Sequence, residues 1–374
     1  MTAKAPRVLL SCGEPSGDAY AGELLDQLRA LRPDVEGFGL GGDHMAAAGG
    51  RLLAHVRDVA VVGLVEVLRH LGELKAVFAR VLAEVERTPP AVAVLLDYPD
   101  FNLRLARELH RRRIPVVYYV SPQVWAWRRG RIRQIRRHVT RMLVLFPFEE
   151  DVYRKAGVPV TFVGHPLVER VKPVADRGGF LKEIGLDPAR PVVAMLPGSR
   201  PGEVAHNLPP LRGAAELMRA RRPEVQLVLA AAATLPDSAF AEAGVPVVRD
   251  RTLALLSAAS VGIVASGTAT VEAALLELPM VVVYRLSPLT FALGRPFVRL
   301  DRFAMVNLVA GRDVVPELIQ RDFTAERVAD ETLALLDDDS RREAMRRDLR
   351  EVRARLGGPG ASARAAEIVA AMLP

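Results

Sequence analysis

Several short stretches of this 374-residue chain bring together side chains that could do chemistry. The first, SCGEPSGDAYAGELL at residues 11–25, sets Glu14, Ser16 and Asp18 around two glycines where an amphipathic helix should begin. Glycines at a helix start suit an anion, but two carboxylates would repel a phosphate. The turn is better suited to something that carboxylates would hold. Asp97 closes the apolar run AVAVLLD and is followed by YPDFN. A carboxylate at the carboxyl end of a buried strand faces a cleft, where it can accept a proton from an attacking hydroxyl. Asp100 could share that work or cap the next helix.

Two later turns have the opposite character. PVVAML runs into PGSRPGE, where Gly198, Ser199 and Arg200 offer backbone N–H groups, a hydroxyl and a guanidinium fork suited to a diphosphate. VGIVA leads into SGTATVEAALL, whose small residues Ser266, Gly267, Thr268, Ala269 and Thr270 let a helix N-terminus approach an anion closely. Glu272, further along that helix, is placed to bind a ribose diol, and Asn307 and Glu317 are further cleft candidates in a stretch that looks loop-like. No GK[ST] follows PGSR and no GxGxxG opens the chain, which argues against a P-loop NTPase or an NAD enzyme.

These turns need strands to hold them. Apolar, β-branched runs alternate with helical-period segments, giving strands at 7–12, 91–97, 114–121, 142–146 and 159–163. After a Gly, Pro and charge-rich break at 164–179, a second set follows at 191–196, 225–231, 245–248, 261–265 and 279–285. Continuous apolar runs between helices read as parallel strands buried on both faces. The expectation is two doubly wound α/β domains with a cleft between them: residues 1–168, residues 169–345, and C-terminal helices at 346–374 packing back across the junction.

Bulk properties agree with that size and class. Half the residues are apolar and a quarter charged, as in a globular protein. The single cysteine, Cys12, excludes an internal disulfide and a cysteine-rich zinc site, and is expected to be a small buried thiol. Neither a secretory signal nor a spanning apolar stretch is evident, so a cytoplasmic protein is expected. The net charge of +7, almost all of its cations arginine, favours an anionic partner.

Two segments bear on a membrane. VSPQVWAWRRGRIRQIRRHVTR (120–141) sets Trp125 and Trp127 beside seven arginines, a pairing that suits a membrane interface or, alternatively, stacking on single-stranded nucleic acid. Leu64, Val67, Leu68, Leu71, Leu74, Phe78, Val81, Leu82 and Val85 form a helical stripe. Such a stripe is usually core, yet the run VAVVGLVEVL before it is greasy enough for Val62, Leu64, Val65, Leu68 and Leu71 to meet a bilayer or acyl chains.

The motifs GEPSGD (13–18), GLGGDHMAAAGG (39–50), VGLVEVL (62–68), DYPDFN (97–102), YYVSPQVWAWRRGRI (118–132), FVGHPL (162–167), LPGSR (196–200), ASGTATVEAALLELPMVVVYRLSPLT (265–290) and NLVAGRDVVPEL (307–318) occur in order along the chain. With them the chain resembles the lipid-A-disaccharide synthase family, inverting glycosyltransferases of the GT-B class. The resemblance implies transfer of a diacylglucosamine unit from UDP-2,3-diacylglucosamine to 2,3-diacylglucosamine 1-phosphate, giving a β-1′,6-linked disaccharide 1-phosphate and UDP. It implies no metal, no cofactor and no nucleic acid, and work at the anionic inner face of the inner membrane; a homodimer is left open. Asp97 matches the proposed general base. Glu14, Ser16 and Asp18 match a cluster on the acceptor side, while Ser199, Arg200 and the helix starting near Ser266 would neutralise the leaving diphosphate. The alternative is another GT-B enzyme acting on a UDP-sugar, such as an epimerase or a transferase with a different acceptor.

Overall fold

The computed structural model describes residues 5–58, 71–125, 130–286 and 302–374. The chain divides into two compact units, one of residues 1–166 with 357–374 and the other of residues 167–356. The first unit holds seven parallel strands, β1 (Arg7–Ser11), β2 (Glu36–Gly41), β3 (Arg51–His55), β4 (Val92–Leu96), β5 (Val116–Tyr119), β6 (Arg141–Val144) and β7 (Val160–Phe162), in the order 3-2-1-4-5-6-7. The second holds six, β8 (Val192–Leu196), β9 (Gln226–Ala231), β10 (Val247–Arg249), β11 (Val261–Ala265), β12 (Met280–Tyr284) and β13 (Glu317–Ile319), in the order 10-9-8-11-12-13. Both carry the doubly wound 3-2-1-4-5-6 arrangement, which puts a topological switch point beside the first strand of each sheet.

The central strands are buried on both faces, as their unbroken apolar runs require: every residue of β4, β5, β8 and β11 is inaccessible. Three strands carry no such signal. Those are β2 (EGFGLG), β3 (RLLAH) and β13 (ELI). In β2 the glycines are a packing requirement, because a Cβ on Gly39 would lie 1.9 Å from the Leu10 carbonyl oxygen of the neighbouring strand.

The expected helix over 61–85 is described from Leu71 to Arg87. There Val77, Val81 and Val85 are buried and Leu74, Phe78 and Leu82 pack on the same core, so this part of the stripe is interior. Val62, Leu64, Val65, Leu68 and Trp127 lie outside the described residues, as does the Leu71 side chain. The expected boundary at 345/346 falls inside the helix Asp339–Arg355, which belongs to the second unit through buried Met345, Leu349 and Val352. The chain rejoins the first unit at Gly357. Its last helix, Ala361–Ala370, places Ala365, Ala366 and Val369 in one core with Tyr20, Leu24 and Leu28 of the helix Pro15–Leu31.

That packing makes the C-terminus part of the first unit's stability. Val369→Asp would bury an unpaired carboxylate there and should cost about 3–5 kcal/mol. Calorimetry should show unfolding of the first unit moving to lower temperature while that of the second stays in place.

Candidate functional site

In the first unit, the candidate residues sit on the turns that leave adjacent strands β1 and β4 at their carboxyl ends. Asp97 and Tyr98 follow β4 with φ of +46° each, so two consecutive non-glycine residues are left-handed. Such backbone costs about 1–3 kcal/mol per residue and persists only where its surroundings over-determine it. Here they do. Asn102, with 0% exposure, lies with Nδ2 within 2.9 Å of the Asp97 carbonyl oxygen and 3.1 Å of those of Leu96 and Ser11. Its Oδ1 accepts from Ser11 Oγ at 2.7 Å, and the Tyr118 hydroxyl donates to the Asp97 carbonyl at 2.6 Å. The outcome is a half-buried Asp97 side chain on braced backbone at the carboxyl end of a central strand.

The β1 turn closes on the same place. Tyr98 lies over Gly13, where an added Cβ would come within 2.2 Å of its ring, and it stacks on Phe101. Burial, with Asp100 and Glu14 nearby, raises the Tyr98 phenol above its ordinary value. Glu14 and Ser16 open the helix Pro15–Leu31, Glu14 half-buried and Ser16 exposed. Asp18 differs from them. At 3% exposure it accepts from the amides of Gly42 (2.6 Å), His44 (2.9 Å) and Met45 (3.1 Å), so it caps the helix Asp43–Ala47. This corrects the grouping of the three residues: the geometry presents Glu14 and Ser16 outward and commits Asp18 to the fold. Asp100 is exposed and pairs with Arg131. Cys12 is buried, as expected, and donates weakly to the Leu40 carbonyl.

Trp125 is half-buried: its indole N–H donates to the buried Glu149 carboxylate at 3.1 Å and its ring packs edge-on against Phe148, so it forms part of the wall of the first unit.

In the second unit, strands β8 and β11 are neighbours in register, Leu196 beside Val264, so PGSR and SGTAT leave the sheet side by side. Gly198 has φ +125°, and the amides of Ser199 and Arg200 point to one spot. The Glu203 carboxylate fills that spot, accepting from Ser199 N (3.1 Å), Arg200 N (3.3 Å) and the Arg200 guanidinium (3.5 Å). Glu203 was not singled out in the sequence, although Pro-x-Glu at a helix start is a capping signal. Asn207, fully buried, holds the turn from behind through the Pro197 carbonyl at 2.8 Å.

Beside it, Gly267 and Thr268 are exposed at the start of the helix Thr268–Leu275. Ser266 Oγ donates to the Phe303 carbonyl, and buried Thr270 turns its hydroxyl back to the Gly267 carbonyl, so both shape the turn. Burial raises the Glu272 carboxyl, and Arg170 nearby opposes the shift. Asn307 and Glu317 are not in a loop as expected. Asn307 lies in the helix Met305–Ala310 and Glu317 opens β13. All of Asn307's capacity is spent on Val314, Val315 and Glu317, and the Glu317 carboxylate accepts from Phe303 N and Ala304 N. The pair braces backbone within the second unit. Among the described residues no group of His, Cys, Asp and Glu could hold a metal ion.

Solved structures with the same fold are a kitacinnamycin glycotransferase (TM-score 0.65, 18% identity, 99% of both chains) and UDP-GlcNAc 2-epimerase of Neisseria meningitidis (TM-score 0.68, 10% identity, 97% of this chain and 98% of that one). The architecture is therefore the two-domain, Rossmann-like GT-B fold. The family model described as lipid-A-disaccharide synthetase matches residues 8–372. Lipid-A-disaccharide synthase of Koribacter versatilis is 49% identical over 371 residues, 96% of each chain. That of Geobacter metallireducens is 45% identical over 378 residues, 100% of this chain and 98% of the relative. The chain belongs to the lipid-A-disaccharide synthase family, and is a disaccharide-forming hexosyltransferase; the epimerase alternative is not favoured.

The Asn102 network is open to direct measurement. Asn102→Ala strips three carbonyls and one hydroxyl of a buried partner and should cost about 2–4 kcal/mol in urea unfolding. It should also lower activity more than an equally destabilising change elsewhere in the first unit, because it releases the Asp97 turn.

Proposed function

We propose that the first unit binds 2,3-diacylglucosamine 1-phosphate, that the second binds UDP-2,3-diacylglucosamine, and that Asp97 is the general base of an inverting transfer. The observation that carries this reading is the Asp97 turn itself: a half-buried carboxylate on strained, braced backbone at the carboxyl end of a central strand. Asp97 takes the proton of the acceptor 6-hydroxyl as its oxygen attacks the anomeric carbon and UDP departs. Glu14 and Ser16 accept and donate to acceptor hydroxyls.

The charge left on the diphosphate meets the amides of Ser199 and Arg200, the Arg200 guanidinium and the open N-terminus at Gly267 and Thr268. Glu203 must give way to it. Two like charges about 4 Å apart at an effective dielectric near 20 repel by about 4 kcal/mol, more than the roughly 1 kcal/mol a capping contact returns. The resident carboxylate therefore swings out when the anion enters.

Membrane association belongs to the same proposal. Arg133, Arg136 and Arg137 are exposed on the helix Arg131–His138, a cationic face suited to anionic headgroups. Val62, Leu64, Val65 and Leu68 would add apolar contact. Among the described residues no helix is long and apolar enough to cross a membrane. We assign the protein to the cytoplasmic side of the inner membrane on these grounds.

Incubation with the diacyl UDP-sugar and the diacyl sugar 1-phosphate should yield the disaccharide by mass spectrometry. Asp97→Asn should lower the rate about 10²–10⁴-fold, and a fully active variant would remove Asp97 as the base. Glu203→Gln keeps a capping oxygen without the charge, so UDP should bind about tenfold more tightly by calorimetry; weaker binding would show that the anion does not use this cradle. Replacing Leu64 and Leu68 by Ser should reduce binding to anionic vesicles, and unchanged binding together with unchanged activity would count against the lipid contact.

A further inference from the structure

A buried cluster in the first unit takes no part in the transfer as described above. Glu149, at 3% exposure in the helix Pro147–Lys155, accepts from the Trp125 indole at 3.1 Å and from Phe146 N at 3.3 Å. Ser121 Oγ lies 2.8 Å from the Tyr153 hydroxyl, one turn further along the same helix, and also donates to the Pro122 carbonyl. Both contacts restrain the segment Val120–Trp125, which leaves β5 through Val120 at φ +67°. A β-branched residue in left-handed backbone is a strained outlier that persists only where its surroundings hold it.

This segment adjoins the Asp97 turn. Strands β4 and β5 are paired, Leu96 beside Tyr119, and Asp97 N donates to the Tyr119 carbonyl at 3.3 Å. Further along the basic stretch, Arg131 at the start of the helix Arg131–His138 pairs with Asp100, two residues beyond Tyr98.

We propose that Glu149 is a positioning residue, holding Trp125 and the strained Val120–Trp125 segment against the Asp97 turn so that this segment forms one wall for the acceptor sugar. The inference rests on the reading of the first unit as the acceptor side. Glu149 does not touch the reacting atoms; it acts through Trp125. Burial pushes its carboxyl up to about 7, with the Trp125 indole, the Ser121 hydroxyl and the Phe146 and Leu145 amides opposing the shift. Tyr153 is the titratable neighbour on its own helix, and His165 packs at a tilt against Phe146 one ring away. Either protonation state keeps one oxygen for the indole, but the ionised state is penalised by burial. The stabilisation from the neutral carboxyl is therefore complete below the ordinary carboxyl value and is lost as pH rises through about 7.

The test separates acceptor geometry from mere stability. In a Trp127→Phe background Trp125 is the sole tryptophan and can be excited selectively at 295 nm or above, since the chain has two tryptophans. There, Glu149→Leu should red-shift its emission. In the otherwise unaltered chain, the same substitution should raise the acceptor KM at least fivefold while leaving the donor KM within twofold. Glu149→Gln should restore both emission and acceptor KM, and should flatten the decline of thermal midpoint that the parent shows between pH 5 and 8. If Glu149→Leu does not fold, Trp125→Phe, which removes only the N–H and part of the ring, should raise the acceptor KM with the midpoint unchanged. Unshifted emission, a shifted emission with unchanged KM values, or failure of Glu149→Gln to rescue would each overturn the proposal. A rise confined to the donor KM would overturn it through the acceptor-side reading on which it rests, a failure that persistence of the red shift would distinguish from loss of the Glu149 contact.

Discussion

One buried side chain, Asn102, sets the geometry on which the first unit's chemistry depends. Its amide gathers the carbonyls that β1 and β4 leave unpaired where they end, those of Ser11, Leu96 and Asp97, and Ser11 Oγ completes the set. Without it two consecutive residues could not stay left-handed, since each costs about 1–3 kcal/mol and neither is glycine. Good geometry at a buried amide returns enough to offset that strain because the alternative is several unsatisfied carbonyls in a dry interior. The resulting backbone fixes where Asp97 leaves the carboxyl end of β4, as the proposed base must be fixed if it is to meet a substrate hydroxyl.

The fold was legible wherever burial dictates composition. Strands such as AVAVLLD and VGIVA lie between helices on both faces, so their residues had to be apolar throughout, and periodicity alone found them. It failed at β2, β3 and β13 for separate physical reasons. In β2 close strand approach excludes side chains and leaves EGFGLG looking like a turn. β3 and β13 are short edge strands, whose single pairing demands less of their composition. The boundary expected at 345/346 fell inside the helix Asp339–Arg355 because its core contact is only a narrow stripe of Met345, Leu349 and Val352 in a strongly charged run.

The site was legible at the level of turns more than of single residues. The sequence marks which turns follow strands and which are acidic or basic, and the structure puts PGSR beside SGTAT, and GEPSGD against DYPD. What composition does not encode is whether a polar side chain serves a ligand or the backbone. Asp18, Thr270, Asn307 and Glu317 all sit in or beside the right turns, yet each is turned onto main-chain groups of its own unit. Glu203, Asn207 and Glu149 escaped notice for the converse reason. Each is a polar residue near the start of a helix, where capping and solvation are the ordinary expectations.

The two carboxylates that accept backbone amides, Asp18 and Glu203, show how that ambiguity is resolved physically. Asp18 is almost wholly buried and takes three amides at 2.6–3.1 Å, an arrangement whose loss would strand donors that water cannot reach. Glu203 lies at the surface end of its turn and takes two amides and a guanidinium at 3.1–3.5 Å. On the proposed reading an incoming diphosphate replaces it and satisfies the donors it leaves. The same kind of interaction is then structural in one unit and exchangeable in the other, and the difference lies in burial and bond length, which a sequence motif does not carry.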